Sequence, residues 1–491
     1  MYLKELLATA GYNPTSFADR EITGIASDSR TVQKGNLFVA LRGLHRDGSL
    51  YAGEALERGA AFVVCERPLE GCAYLLVENA RDALARLFDA WYGHPAKNLS
   101  LIGITGTNGK TSTASMLYAV LRKAGVSCGL IGTVECRLND QVLIAPNDDR
   151  LANMTTPDPA QLYELLAKMR DGGAEYVIME VTSHALAFSK TSPLHFTRGI
   201  FTNLTPDHLD LHGDMETYFN EKRKLFDACD GAVVSCASSY GRRLADSLEL
   251  PLWRLDEETL RRSIKRGSEG VSFTLCLPEA PCLSIDLSVP GEFSIENGAL
   301  AAITALSIGV EGNIVQKALS DFGGVRGRME RVGENPFGVS VFLDYAHTPD
   351  ALEKLLRTVR DFCGEEERII LLFGCGGDRD RSKRPEMGRI ASRLADLLIL
   401  TSDNCRTERP EDILRDILKG VDKEKPYKVI LDRREAIEFA IDIARRGDVL
   451  ILAGKGHEEY EIRGRSRLFF SEREIVKSCM AARMEREKNA D

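Results

Sequence analysis

The chain has 491 residues, enough at roughly 150 per domain for about three compact units, each with its own core. Its 64 Lys plus Arg against 73 Asp plus Glu give a net charge of −9, which argues against a general nucleic-acid binder, since that needs a basic face to displace phosphate counterions. With 44% hydrophobic residues it is too apolar for disorder, and no apolar run approaches the ~20 residues that cross a bilayer.

The opening MYLKELLATAGYNP has charges inside its only apolar stretch and no small-residue cleavage site, so it does not read as a signal peptide. The 12 cysteines form no C-x-x-C pair and lie in strand-like runs (Cys128, Cys236) or loops (Cys375, Cys405). They are expected to be reduced thiols of a cytoplasmic protein, with neither zinc nor disulfides.

In chain order, LIGITG (101–106), EYVIMEV (175–181), RGIFTNL (198–204), RIILLFG (368–374), ADLLILTSD (395–403) and DVLILAG (448–454) are apolar on both faces. That is the pattern of parallel strands covered by helices on both sides, so the fold class is α/β. Helical periodicity is expected over 111–123, 158–171, 349–362 and 385–394. The polar, Pro-bearing GHPAKN (93–98) and the Gly- and charge-rich GGVRGRMERVGENPFG (323–338) divide the chain into domains 1–98, 99–328 and 329–491.

GITGTNGKTS (103–112) follows an apolar strand and opens a helix. Its glycines, Gly106 and Gly109 among them, let the backbone turn tightly, so the N–H groups of Thr107, Asn108 and the helix start face one anion. Lys110 can reach β/γ-phosphates, Thr111 can ligate Mg²⁺, and Ser112 continues the helix start. The strict G-x-x-x-x-G-K-[ST] pattern fails because position 104 is Ile. Glu180 ends one apolar strand (MEVTSHAL) and His208 lies just beyond another (NLTPDHLDLHG). Taken singly each reads as a cap or turn residue; jointly, at the carboxyl edge of a parallel sheet beside a phosphate loop, they read as metal ligands.

GTNGKT, MEVTSH, NLTPDHLDLHG, ETYFNEKRKLF, GRMERV, DYAHTPDAL, GGDRDRSKRPEMG and GKGHE together resemble the Mur ligase family, and within it the members that add the third residue of the peptidoglycan stem peptide. The amino-terminal DSRTVQKGNLFVALRG and DGSLY fit the same group, so the resemblance runs in order over nearly the whole chain. It implies an N-terminal uridine-nucleotide domain, a central P-loop parallel-sheet ATPase domain and a C-terminal Rossmann-like domain. It implies further an ATP-dependent amide ligase that activates a carboxylate as an acyl phosphate and lets an amine displace the phosphate. Two anions meet in that step, so the site needs cations rather than a protein nucleophile. By the resemblance, Thr111, Glu180 and His208 hold Mg²⁺, and Lys222 reacts with CO₂ to become a carbamate that serves the metal site. By spacing alone, K-R-K at 222–224 reads as a solvated helix face. Asn297 and Arg328 would approach ATP, and Asp344 its ribose; without the family Asn297 is a helix-start residue and Arg328 a surface charge in a linker.

The substrates implied are UDP-MurNAc-L-Ala-D-Glu and meso-diaminopimelate, with no nucleic acid or membrane partner and a monomeric enzyme. The uridine nucleotide would contact Ser29 and the loop 44–46, and the muramoyl dipeptide Thr155, Thr156 and Thr182. The family commonly has two serines before His184, where this chain has Thr182-Ser183, and an amide or small residue and an arginine where it has Phe188 and Lys190. Lys190 keeps the charge without the bidentate fork. Asp403-Asn404-Cys405-Arg406 resembles the Asp-Asn-Pro-Arg motif of diaminopimelate-adding members, in which the arginine pairs with the distal carboxylate; Cys405 replaces the proline. Arg379, Gly454 and Glu458 would complete the pocket. The alternatives are an L-lysine-adding relative, a folylpolyglutamate synthase (disfavoured by the amino-terminal domain), a P-loop phosphotransferase acting on an alcohol, and a non-catalytic nucleotide binder.

Overall fold

The computed structural model describes all residues except 44–46, 147, 149–153, 268–269, 279–280, 333–336, 365 and 489–491. Three parallel sheets follow one another along the chain. In the first, β1 (Gly24–Ala26), β2 (Asn36–Val39), β3 (Phe62–Cys65) and β4 (Tyr74–Leu76) pair in that order, all parallel. NLFV and FVVC are buried at every position, as strands covered on both faces must be.

The central sheet is built from β5 (Ser100–Thr105), β6 (Cys128–Ile131), β7 (Cys136–Leu138), β8 (Gln141–Ile144), β9 (Tyr176–Glu180), β10 (Arg198–Phe201), β11 (Ala232–Ser235) and β12 (Leu252–Leu255). Their order is β12-β11-β10-β5-β9-β6-β7-β8, parallel except where β7 and β8 join antiparallel. Strand β5 therefore sits in the middle, with β9 and β10 on its flanks, and the loops after these three strands open at one carboxyl edge. Gly103 in β5 is required by close packing: a Cβ there would press on Phe196 and Leu225 at 3.0 Å.

An antiparallel sheet of β13 (Leu260–Gly267), β14 (Gly270–Leu275) and β15 (Leu283–Leu287) follows, β14 burying alternate residues. Just beyond it, Cys276 and Cys282 form a disulfide, which corrects the expectation that all cysteines are free thiols. The antiparallel pairing of β14 with β15 sets the two cysteines at a Cα separation of 4.3 Å, close enough to bridge. The other ten stand outside any disulfide.

The third sheet has the order β16 (Glu330–Arg331), β17 (Ser340–Asp344), β21 (Val449–Ala453), β18 (Ile369–Phe373), β19 (Leu397–Leu400) and β20 (Tyr427–Val429), parallel apart from β16. A hairpin of β22 (Tyr460–Arg463) and β23 (Ser466–Phe469) lies beyond it. All six strands expected from two-sided apolarity form, as do the four helices, at Lys110–Lys123, Pro159–Asp171, Pro349–Phe362 and Lys383–Leu394. Pro159 and Pro349 stand in the first helical turn, where no backbone donor is needed.

Candidate active site

The loop after β5 is shaped by what surrounds it. Gly106 (φ +146°) and Gly109 (φ +85°) hold backbone conformations that a side chain resists, and each is also walled in. A Cβ on Gly106 would collide with Thr202 Oγ1, and one on Gly109 with Asn297 Oδ1. Asn203 grips the loop from β10: its carbonyl accepts from Thr107 N at 3.0 Å and its Oδ1 from Asn108 N at 2.9 Å. Lys110, first residue of its helix, donates Nζ to Gly106 O at 2.9 Å and to Thr107 O at 2.8 Å. Burial lowers its pKa, partly offset by Glu180 and Asp207.

Glu180 ends β9 almost fully buried, yet it is well supplied with donors. Thr111 Oγ1 donates to Oε2 at 3.0 Å, and Thr133 donates N–H to Oε1 at 2.8 Å and its hydroxyl to both oxygens at 3.1 Å. Thr133 also reaches Thr155 Oγ1 at 3.1 Å, while Thr156 binds Glu180 O at 2.9 Å and lies 3.2 Å from Thr182 Oγ1. A ladder of threonines thus runs from the phosphate loop outward. Lys190, further along, is paired with Asp158 at 2.7 Å, and the Phe188 ring carries the Arg81 guanidinium 4.4 Å above it.

Lys222 is 2% exposed, against what the K-R-K spacing implies. Its Nζ donates to Gly106 O at 2.8 Å, the same carbonyl that Lys110 holds, and lies 4.7 Å over the Tyr218 ring. Burial and the Lys110 charge push its pKa well down, favouring the neutral amine. His208 caps a short helix in a left-handed conformation (φ +54°), its ring 4.8 Å from that of His184 and its Nε2 3.4 Å from Asp207. Desolvation lowers its pKa to about 4. Among the described residues no group of three or more His, Cys, Asp or Glu could hold a metal by itself. The donors here are instead one carboxylate, one hydroxyl and an imidazole facing a phosphate loop. That suits Mg²⁺, which binds through one or two carboxylates plus phosphate oxygens and water.

The opposite wall belongs to the third sheet. Asp344 at the end of β17 accepts from Met329 N at 2.7 Å and Ala346 N at 2.8 Å, and the neighbouring Arg328 guanidinium stacks 4.6 Å over the Tyr345 ring. After β19, Asn404 is held at both ends of its amide: Nδ2 donates to Glu458 Oε2 at 2.7 Å, and Oδ1 accepts from Lys455 Nζ at 3.1 Å and Ile462 N at 2.9 Å. Burial raises the Asp403 carboxyl, but Lys455 and Arg433 together hold it below its usual value; burial raises Glu458. The Arg406 side chain (backbone φ +51°) is fastened through Nη1, to Gly377 O at 2.9 Å and Asn404 O at 3.3 Å. Among the described residues Nε and Nη2 therefore stay available as a parallel donor pair. Cys405 lies beneath the loop, its thiol 3.8 Å from Ile462 O.

Both walls line one cleft of about 1500 Å³. It brings together every site residue expected on the central and C-terminal units except Gly106, Lys222 and Cys405, which sit behind its surface. Ser29 is elsewhere, its hydroxyl bound to Glu54 Oε2 at 3.0 Å, and the loop 44–46 lies outside the described residues. Sequence reasoning passed over Thr133, Asn203 and Lys455. Thr133 and Asn203 follow strands at the same carboxyl edge as Glu180, a positional signal that was there to be used, and Lys455 stands inside the GKGHE motif.

Comparison with known proteins agrees along the chain. The family profile described as Mur ligase family, catalytic domain, matches residues 21–92, the Mur ligase middle domain matches 104–306, and the Mur ligase glutamate ligase domain matches 327–456. A UDP-N-acetylmuramoyl-L-alanyl-D-glutamate--2,6-diaminopimelate ligase of Clostridioides difficile (strain 630) is 40% identical over 94% of this chain and 95% of its own. One of the same name from Gloeobacter violaceus is 40% identical over 99% of each chain. Among solved structures, one titled with that ligase name superposes with a TM-score of 0.66 at 29% identity, covering 94% of this chain and 95% of its own. The MurF ligase of Thermotoga maritima in complex with ADP shares the fold (TM-score 0.61, 19% identity, 94% of this chain and 98% of its own). The chain belongs to the Mur ligase family and is an ATP-dependent ligase.

Proposed function

We propose that this ligase joins an amino group of meso-diaminopimelate to the D-glutamate carboxylate of UDP-MurNAc-L-Ala-D-Glu, in the cytoplasm and as a monomer. The carrying observation is a single cleft with the phosphate loop on one wall and the Asn404–Arg406–Glu458 pocket on the other. The names of the 40%-identical relatives support the choice of substrates.

In the reaction a carboxylate oxygen attacks the γ-phosphorus, the bond to ADP breaks, and an acyl phosphate forms. The amine nitrogen then attacks the acyl carbon, phosphate leaves, and the nitrogen gives up a proton. Lys110 stabilises charge on the transferring phosphoryl group, and the N–H groups of Gly109 to Ser112 at the helix start orient the phosphates, those of Thr107 and Asn108 being held by Asn203. Asn297, Arg328 and Asp344 hold the rest of ATP. Thr111, Glu180 and His208 would hold Mg²⁺, which when bound neutralises phosphate charge. Thr155, Thr156 and Thr182 seat the dipeptide beside them, with Lys190 at its anionic end and Ser29 toward the uridine. Arg406 takes the distal carboxylate through its spare donor pair, while Arg379, Asp403, Asn404, Cys405, Gly454 and Glu458 frame the amino-acid end. A lysine substrate would place an ammonium against that guanidinium.

The Lys222 amine, buried with its pKa held well down by burial and the Lys110 charge, is the group proposed to add CO₂, forming an N–C bond and releasing a proton. Enzyme equilibrated with ¹³C-labelled CO₂ is expected to show a carbamate carbon resonance that Lys222→Met lacks, with activity down about 100-fold or more in that variant. A Lys222→Met enzyme of ordinary activity would remove the carbamate from the account. Coupling tests the reaction itself: ADP release should require dipeptide and amine together. Turnover with a simple alcohol acceptor would favour a phosphotransferase.

A further inference from the structure

We infer that Asp350 is a positioning residue that fastens the C-terminal unit to the phosphate loop, so that the loop is fully braced only while the amino-acid-bearing unit is docked on it. Asp350 Oδ2 accepts from Asn108 Nδ2 at 3.0 Å and from Thr205 Oγ1 at 3.2 Å, contacts that span 242 and 145 residues of sequence. The backbone of Asn108 is already bound within the central unit, its N–H to Asn203 Oδ1 at 2.9 Å and its carbonyl to Thr202 Oγ1 at 2.6 Å. Its side chain is thus the arm that the loop extends to the other unit.

The placement of Asp350 follows from its helix, Pro349–Phe362. Thr348 caps it by accepting from Ala351 N at 3.3 Å, Pro349 opens it, and Asp350 stands in the first turn, where a carboxylate also favours the helix dipole. Lys354 Nζ, one turn on, lies 3.0 Å from the same oxygen. The other end of this helix touches the central unit too. Thr358 Cγ2 would lie 2.6 Å from a Cβ on Gly291, and Phe293 packs onto the C-terminal core. Gly291 and Phe293 begin the helix Glu292–Ser307, whose Asn297 walls in Gly109. One helix of the C-terminal unit therefore reaches the phosphate loop directly at Asn108 and, through Asn297, from behind.

An acyl phosphate is lost to water if it forms before the amine is present, and a brace of this kind ties phosphoryl transfer to the approach of the unit that brings the amine. The inference rests on the reading that ATP lies on the loop and the amino acid on the C-terminal unit.

The test measures kcat, KM for ATP, thermal midpoint and, by small-angle scattering without substrates, the radius of gyration. Asp350→Ala is expected to lower kcat about tenfold with KM for ATP within about twofold, and to enlarge the radius of gyration. Asp350→Asn, which keeps an acceptor oxygen in place, should recover kcat to within about threefold. Thr205→Val, on the other side of the contact, should act in the same direction and add nothing in the Asp350→Ala background. If Asp350→Ala also lowers the thermal midpoint, the Thr205→Val measurements decide. Unchanged scattering together with unchanged kcat, or fully additive losses, would overturn the inference. Scattering needs no substrate, so a failure to use meso-diaminopimelate would leave this result standing.

Discussion

Replacing Lys110 by alanine is expected to reduce peptide-bond formation about 1000-fold while the chain stays folded, as read by product formation alongside the thermal midpoint. The ammonium opens the helix Lys110–Lys123 and closes the loop onto Gly106 O and Thr107 O. It is the cation best placed to meet charge on a transferring phosphoryl group. The other nearby ammonium, Lys222, is buried behind the loop and pushed toward neutrality, so it cannot substitute. A variant that kept a tenth or more of the activity would mean that the loop binds nucleotide without taking part in the chemistry.

The second large effect is expected at Arg406. Arg406→Ala should lower kcat/KM for meso-diaminopimelate about 100-fold, because a bidentate, charge-assisted contact to a carboxylate is lost, and should change ATP binding little. Isothermal titration with ATP and initial rates against the amine separate the two. The geometry explains the asymmetry: Arg406 is anchored by Nη1 to Gly377 O and Asn404 O, which leaves the other edge of the guanidinium for a ligand. Equal losses of amine and ATP affinity would indicate that the residue only supports its loop. The contact through which it would do so is its backbone N–H bond to Ile462 O at 3.0 Å.

The fold was largely legible because parallel strands covered on both faces have to be apolar throughout. LIGITG, IILLF and VLILA announce themselves, and their order along the chain dictates which loops meet at a carboxyl edge. The tight turn from β5 into its helix was legible for a related reason, since such turns need glycine in particular places, here Gly106 and Gly109. Lys222 was not legible from its spacing: three cations in a row read as a wet helix face, and only packing against Tyr218 and Gly106 buries the first of them. Thr133 and Asn203 escaped because an isolated polar residue after a strand carries no chemistry until the sheet order sets it beside Glu180 or Asn108. The Cys276–Cys282 pair was misjudged because the compartment argument took precedence over a six-residue spacing that a hairpin can close. The Asp350 contact could not be read from sequence, since it joins residues more than a hundred positions apart in different units.

The central claim is that ATP makes a carboxyl group reactive in this cleft and an amino acid captures it. The most direct measurement gives the purified chain UDP-MurNAc-L-Ala-D-Glu, Mg²⁺ and ATP with meso-diaminopimelate or L-lysine, then weighs the products and counts ADP. One new species is expected, heavier by one diaminopimelate residue and formed in step with one ADP, with little or none from lysine. Nucleotide consumed with no new amide in either mixture would contradict it.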